Sequence, residues 1–284
     1  MASRAPLDLR VNTLKANREK VLPRLAHLGA QPTPWSPIGL RIELGADARN
    51  PGIHAEEDFI KGAVEVQDEG SQLAALLSAA KPGEQVIDLC AGAGGKTLAL
   101  AAMMQGKGRL IATDHDKRQL APIHERLSRA GIHNADVRTP KGDADPLADI
   151  YSSADLVVID APCTGTGTWR RNPDAKWRMR PGALEVRLKE QAEALDRAAG
   201  LVKPGGRIAY ITCSVLPPEN GAQVRKFIGR HPEFAVVPPE QTASVLWDKA
   251  EEFGKAALET PEGWLMTPRR MGTDGFFVSV LKKG

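Results

Sequence analysis

From residue 85 onward, short apolar runs alternate with helical stretches, and that rhythm restricts the chain to very few folds. The runs cover residues 85–89, 109–113, 156–159 and 207–211. Helical patterns follow the first two, reaching residues 104 and 129, and cover 183–199 and 221–229 after the others. Strand, helix, strand in this order predicts a parallel sheet with helices on both faces, because each parallel connection needs a crossover long enough for a helix. A weaker run at 134–139 supplies a further strand. Trp264-Leu-Met-Thr and Gly275-Phe-Phe-Val-Ser-Val-Leu read as two more, in a hairpin. Ahead of this α/β region, residues 7–44 read as a small α+β unit. It has a strand at Leu9-Arg-Val11, a helix over 17–28 with Val21, Leu22, Leu25 and Leu28 on one face, and a strand near 40–42. The stretch 46–54 reads as a linker, and Val64-Glu-Val-Gln-Asp-Glu-Gly-Ser as the opening of a helix over 71–80. Two domains are expected, 1–54 and 55–284.

Charge and cysteine usage narrow the partners. There are 38 Lys+Arg against 35 Asp+Glu, so a nucleic-acid role has to rest on local clustering and not on the overall balance. The three cysteines, Cys90, Cys163 and Cys213, lie far apart and form no CxxC pair, which points away from a zinc site and from a disulfide framework. The six histidines form no cluster in sequence, so no metal is expected. No stretch approaches the roughly eighteen apolar residues of a membrane span. Met-Ala-Ser-Arg-Ala-Pro at the amino terminus lacks the apolar core of a secretory signal. A cytoplasmic monomer with no membrane partner is the expectation.

The first strand of the α/β region runs into Asp88-Leu-Cys90-Ala-Gly92-Ala-Gly94-Gly95-Lys96-Thr97 and then a helix. Glycines here let a ligand approach the backbone at a helix amino terminus. A phosphate-binding P-loop needs a glycine five places before Gly95, where Cys90 stands; a dinucleotide fingerprint needs one where Thr97 stands. What survives is a cofactor with a carboxylate and no phosphate, in the manner of S-adenosylmethionine (SAM) enzymes, or simply a tight turn. Asp114 ends the second strand about twenty residues on, where an acid accepts hydrogen bonds from ribose hydroxyls. Asp143, beyond the weak third strand, is placed either to meet an adenine amino group or as a solvated loop acid.

Two later strands each deliver a cysteine to the crevice where open α/β sheets bind ligands: Asp160-Ala-Pro-Cys163-Thr-Gly-Thr-Gly, and Ile211-Thr-Cys213-Ser. Packing does not require two cysteines there. Adding a one-carbon group to a pyrimidine carbon does, with one thiolate to attack the ring and one group to help remove a proton afterwards. N-methylating enzymes place an aromatic residue where Cys163 stands; a cysteine argues for attack on ring carbon. Next come Trp169, Arg170, Arg171, Lys176, Trp177 and Arg178, cations interleaved with indoles, which is the chemistry that single-stranded nucleic acid needs. The alternative is a solvated charged loop. Cys90 reads as a small buried residue, and Phe276 and Phe277 as core.

Together these motifs resemble the Sun and Nop type RNA cytosine-5 methyltransferases, from Asp8-Leu-Arg-Val-Asn-Thr-Leu-Lys and Val66-Gln-Asp-Glu-Gly-Ser through the glycine turn, the Asp160 and Cys213 motifs and Arg170-Arg-Asn-Pro-Asp to Asp274-Gly-Phe-Phe. The resemblance implies a Rossmann-like class I methyltransferase domain, with a mostly parallel seven-stranded sheet, behind a small RNA-binding domain. It implies that Cys90, Ala91, Gly92, Ala93, Gly94, Gly95, Lys96, Asp114 and Asp143 hold SAM, and that Asp160 meets cofactor and base together. It makes Cys213 the nucleophile and Cys163 the group assisting release. DNA cytosine-5 methyltransferases attack with a cysteine preceded by proline, which would nominate Cys163; Thr212-Cys213-Ser has no counterpart there and favours the RNA assignment. Ribosomal RNA is the expected substrate. Ribosomal members often carry a helical domain ahead of the first strand, which here begins near residue 7, so transfer RNA is kept as the alternative. A non-catalytic RNA-binding or ribosome-assembly module predicts lost cysteines or glycines, and these are intact.

Overall fold

The computed structural model describes residues 4–45, 49–142 and 144–284. Asp143 and part of the expected linker lie outside the described residues.

The small unit is an antiparallel sheet of β1 (Leu7–Val11), β2 (Gln31–Pro32), β3 (Gly39–Ile42) and β4 (Val64–Val66), in the order β2-β3-β1-β4. Strand alternation divides β1 between two environments. Leu9 and Val11 face a core shared with Val21, Leu25, Leu40 and Phe59. Asp8, Arg10 and Asn12 are equally buried but point the other way, toward the larger unit. Asn12 Nδ2 donates to the carbonyls of Gly62 and Ala130, at 2.9 and 3.0 Å. Two expectations change here. Residues 64–66 do not lead into a helix but pair with β1, as two valines two apart suit a pleated, half-buried strand. Asp68 then caps the next helix by accepting from Gly70 N–H, so that helix is Glu69–Leu77, starting before the expected residue 71. The expected helix over 17–28 is α-helical only over Arg18–Val21 and continues as a 3-10 turn, Leu22–Leu28, with Pro23 at its start, a residue without an N–H for the α ladder. We propose the domain division after residue 66, which keeps this sheet whole; a division after residue 54 would cut it.

The large sheet contains β5 (Gln85–Asp88), β6 (Arg109–Ala112), β7 (Ala135–Val137), β8 (Ala154–Asp160), β9 (Val202–Thr212), β10 (Phe234–Val236), β11 (Leu258–Thr260), β12 (Gly263–Met266) and β13 (Phe276–Lys283). Its order is β11-β12-β13-β9-β8-β5-β6-β7, with β10 beside β13. Strands β5 to β9 are parallel, and β13 lies antiparallel between β9 and β12. The expected seven strands are β7, β6, β5, β8, β9, β13 and β12; β10 and β11 are short additions at the margin. Strands β5, β6, β8 and β9 are buried on both faces, with Val86, Leu156 and Ile211 in one core layer and Ile87, Val157 and Tyr210 in the other. Double burial is why these strands read as unbroken apolar runs. The helix expected up to residue 129 is broken at Pro122 into Lys117–Leu120 and Ile123–Ala130.

From β5 the chain moves outward to β6 and β7, then crosses back to β8 on β5's other side. That reversal opens a crevice at the carboxyl ends of β5 and β8, and both motif-bearing turns empty into it.

Candidate active site

The turn after β5 is shaped by two glycines. Gly94 has φ +86°, and a Cβ there would stand 2.5 Å from Ile123, so the position demands glycine on both counts. Gly92, at φ +49°, has open space where a Cβ would stand. Its N–H donates to Asp114 at 2.9 Å, which ties the turn to the end of β6. Beneath the turn, wholly buried Asp88 accepts from the Thr97 hydroxyl at 2.7 Å, and burial pushes its carboxyl up to about 7.

Cys90, Ala91, Gly92, Ala93, Gly95, Lys96, Asp114, Asp160 and Cys163 all line one cavity of about 660 Å³. This is the size range of small-molecule sites. An acid set for ribose hydroxyls, a glycine floor at a helix amino terminus and a cavity of this volume fit a nucleoside cofactor with an amino-acid tail. Gly94 lies below the lining, packed on Ile123. Sequence reasoning did not single out Gln67, Ser71, His115 and Arg187, which line the same cavity. For Gln67 and Ser71 the signal was the motif that begins at Val66.

Asp160, at the end of β8, accepts from Lys96 Nζ at 2.7 Å. Lys96 is almost fully buried, with its ammonium 5.1 Å from the Phe276 ring centre, so the partner carboxylate is what makes its charge tolerable there. Cys163 and Cys213 follow neighbouring parallel strands, and their sulfurs stand 3.2 Å apart. A hydrogen bond joins them. The hydrogen bond from Cys213 lowers the Cys163 thiol below its ordinary value, and the same bond, with burial, raises Cys213 well above it. At rest, therefore, the first negative charge of the pair settles on Cys163. Cys90 is separate from this centre, and burial raises its thiol.

Cys163 and Arg187 also border a second cavity, of about 810 Å³, lined by Arg171, Asn172, Arg178 and Arg180 among others. The two cavities thus share Cys163 and Arg187. The basic segment divides in two. Arg170 donates to the Gly272 carbonyl at 2.7 Å, and the buried indole N–H of Trp169 has no partner among the described residues. Arg171 donates to Asp274 at 2.9 Å, to Asp68 at 3.0 Å and to the Pro6 carbonyl at 2.9 Å. Its guanidinium is thus committed to the joint between the two units. Trp177, in contrast, is 81% exposed, with Lys176 Nζ 4.8 Å from its ring centre, and Arg178 is exposed beside it.

Among the described residues, no group of three or more His, Cys, Asp or Glu could hold a metal ion, and no helix is long and apolar enough to cross a membrane. The chain is similar to known proteins along nearly its full length. It is 34% identical over 284 residues to a protein of Synechocystis named probable ribosomal RNA small subunit methyltransferase B, covering 98% of this chain and 60% of that one. It is 37% identical over 235 residues to ribosomal RNA small subunit methyltransferase B of Salmonella arizonae, covering 82% of this chain and 53% of that one. The chain thus spans little more than half the length of these relatives. The crystal structure of a methyltransferase homologue from Pyrococcus horikoshii superposes with a TM-score of 0.74 at 25% identity, over 99% of this chain and 88% of that one. A sequence profile of the family described as 16S rRNA methyltransferase RsmB/F matches residues 75–282, and the chain belongs to that family.

Proposed function

We propose that this chain methylates carbon 5 of a cytosine in ribosomal RNA, in the cytoplasm, using SAM and a covalent cysteine adduct. One observation carries the chemistry: two free thiols 3.2 Å apart, one of which, Cys163, lines a cofactor-sized cavity. Family membership supports a ribosomal RNA substrate. SAM would supply an electrophilic methyl group on a sulfonium. Asp114 would accept from its ribose, and the Gly92 to Gly95 turn would cradle its amino-acid end.

Carbon 5 of cytosine is too weak a nucleophile to take that methyl unaided. Cys213 sulfur adds at carbon 6 and makes the ring enamine-like, while its proton passes to Cys163. The Lys96 and Asp160 pair meets the ring nitrogen next to the carbonyl and steadies the charge that addition places there. After methyl transfer, Cys163 gives its proton to water in the outer cavity, then takes the proton from carbon 5 as Cys213 leaves as thiolate. The target base has to be unstacked to enter, and an unpaired stretch of RNA lowers that cost. Lys176, Trp177 and Arg178 offer it a stacking face and cations, and the small amino-terminal unit is proposed as a further RNA-binding surface.

Incubation with SAM and unmodified ribosomal RNA, followed by bisulfite sequencing, should reveal 5-methylcytosine at one position. Methylation of transfer RNA alone, or of a base nitrogen, would overturn the substrate or the chemistry respectively. Trp177→Ala should weaken RNA binding by about 1–3 kcal/mol, the usual worth of one base stacked on an aromatic ring, and leave SAM affinity unchanged. Filter binding and calorimetry check the two halves of that expectation.

A further inference from the structure

The scheme above leaves Glu219 without a task, although it lies directly behind the Cys163 loop. It is wholly buried, at the end of the short 3-10 turn Pro217–Glu219 that follows Cys213. One carboxylate oxygen accepts from Thr164 N–H at 2.8 Å and from Gln191 Nε2 at 3.0 Å; the other accepts from the Thr164 hydroxyl. Gln191 Nε2 also donates to the Pro162 carbonyl at 2.9 Å. Both neighbours of Cys163 in the chain, Pro162 and Thr164, are therefore gripped by two buried side chains. Gln191 is steadied by Gln223, whose Nε2 donates to Gln191 at 3.2 Å and to the Leu188 carbonyl at 2.7 Å. Tyr210, on β9, donates to the Glu219 carbonyl at 2.6 Å and pins the turn from below.

Every donor to this carboxylate is uncharged, and among the described residues no cation lies in ion-pair range of it. Burying a carboxylate on neutral donors alone is costly. Packing does not require it, because a glutamine would fill the same space.

We infer that Glu219 is a positioning residue for the thiol pair: it clamps the chain on both sides of Cys163 and sets a negative charge without a cationic partner behind that loop. The charged and titratable groups around the centre are Tyr210 on β9 and Cys213 just after it, Asp160 on β8, Lys96 and Arg187 on two helices, and Cys90 in the glycine turn. Asp160 burdens both thiols with its charge, and Lys96 relieves Cys213. Glu219 bears on Cys163, opposing the hydrogen bond that draws charge there. It thereby pushes thiolate character toward Cys213 and keeps Cys163 basic enough to take a proton later. This use of the charge rests on the cytosine-5 reading; the clamp and the charge themselves do not.

Glu219→Gln separates the two effects. The amide oxygen can keep the bonds from Thr164 N–H and Gln191, and the amide nitrogen can donate to the Thr164 hydroxyl, so the clamp survives while the charge goes. In a Cys213→Ser background without RNA, iodoacetamide labelling of Cys163, read by peptide mass spectrometry across pH, should show its midpoint lowered by about one pH unit or more. An unmoved midpoint overturns the proposal, whatever the protein does to RNA. With both cysteines present, kcat should fall about tenfold at unchanged KM for RNA, and the covalent protein–RNA complex should accumulate. A lowered midpoint with unaltered turnover overturns the link to release. Absence of methylation by the wild type counts against the cytosine-5 reading, while the labelling still decides the role of Glu219. If Glu219→Gln does not fold, Glu219→Asp draws the charge back by one methylene, and a smaller fall in the midpoint is expected; a constant midpoint again overturns the proposal.

Discussion

Cys213→Ala should abolish methylation, a loss of about 10⁴-fold or more, and should form no covalent complex with RNA, because nothing else in the crevice can add to carbon 6 in its place. Cys163 is near but is held against addition. Its loop is tied through Thr164 and Pro162 to buried side chains, and its thiol, lowered by the bond to Cys213, is proposed to take the Cys213 proton. Cys163→Ala should fail differently. Addition and methyl transfer proceed, release stalls, and a protein–RNA band survives a denaturing gel. The pH dependence of that band has a definite sign. The leading cause of the raised Cys213 thiol is its hydrogen bond to Cys163. Removing Cys163 removes that cause but also the thiolate that takes the Cys213 proton, while burial and the Asp160 charge still raise Cys213, so adduct formation by Cys163→Ala should reach its plateau at higher pH than the first turnover of the wild type, which follows the lowered Cys163. Adduct formation by Cys213→Ala and not by Cys163→Ala would exchange the two roles. A plateau at lower pH would show that Cys163 is not the group that takes the Cys213 proton.

How much of this was readable in the chain depends on how far apart the cooperating residues lie in sequence. The parallel sheet was legible because double burial writes itself as unbroken apolar runs at β5, β6, β8 and β9. The cofactor turn was legible because strand, glycines and helix are contiguous, and the thiols because each follows its strand within a few residues. Strand β4 was not legible as a strand, since three residues carry too little pattern and only pairing with β1, more than fifty residues earlier, decides their state. The helix near residue 22 and the one near residue 122 each carried a proline that local pattern reading passed over. Arg171 was read with the exposed cations around it. Its actual partners, Asp68 and Asp274, each lie 103 residues away, beyond the reach of any local signal. Glu219 failed for the same reason. A proline-framed acid after a cysteine looks like a turn residue until Thr164 and Gln191, 55 and 28 residues away, are brought against it.

Arg171→Leu should be the most destabilising single change at the joint between the two units, by about 3 kcal/mol at pH 8, the low end for breaking a buried ion pair because the guanidinium is partly exposed. The cluster it neutralises explains both the size and the pH dependence. Asp68 and Asp274 are almost fully buried, and the Asp274 N–H donates to the Asp68 carboxylate at 3.1 Å, so two acids face each other with Arg171 between them and a third, Asp8, nearby. Burial first, then the charges of Asp274 and Asp8, push the Asp68 carboxyl up to about 6 even with Arg171 in place. An acid whose folded value lies above its unfolded value favours folding at low pH, and that contribution is lost as pH rises through the folded value. Without the guanidinium, which lowers it, the folded value rises further. The variant then forgoes most at pH 8, where Asp68 must ionise in a buried site without its cation, and less at pH 5, where Asp68 holds a proton in wild type and variant alike. Urea denaturation at the two pH values should therefore show a gap between wild type and Arg171→Leu that is wider at pH 8. A gap independent of pH would assign the loss to packing of the arginine stem, and a wider gap at pH 5 would mean that Asp68 is not the acid that Arg171 neutralises.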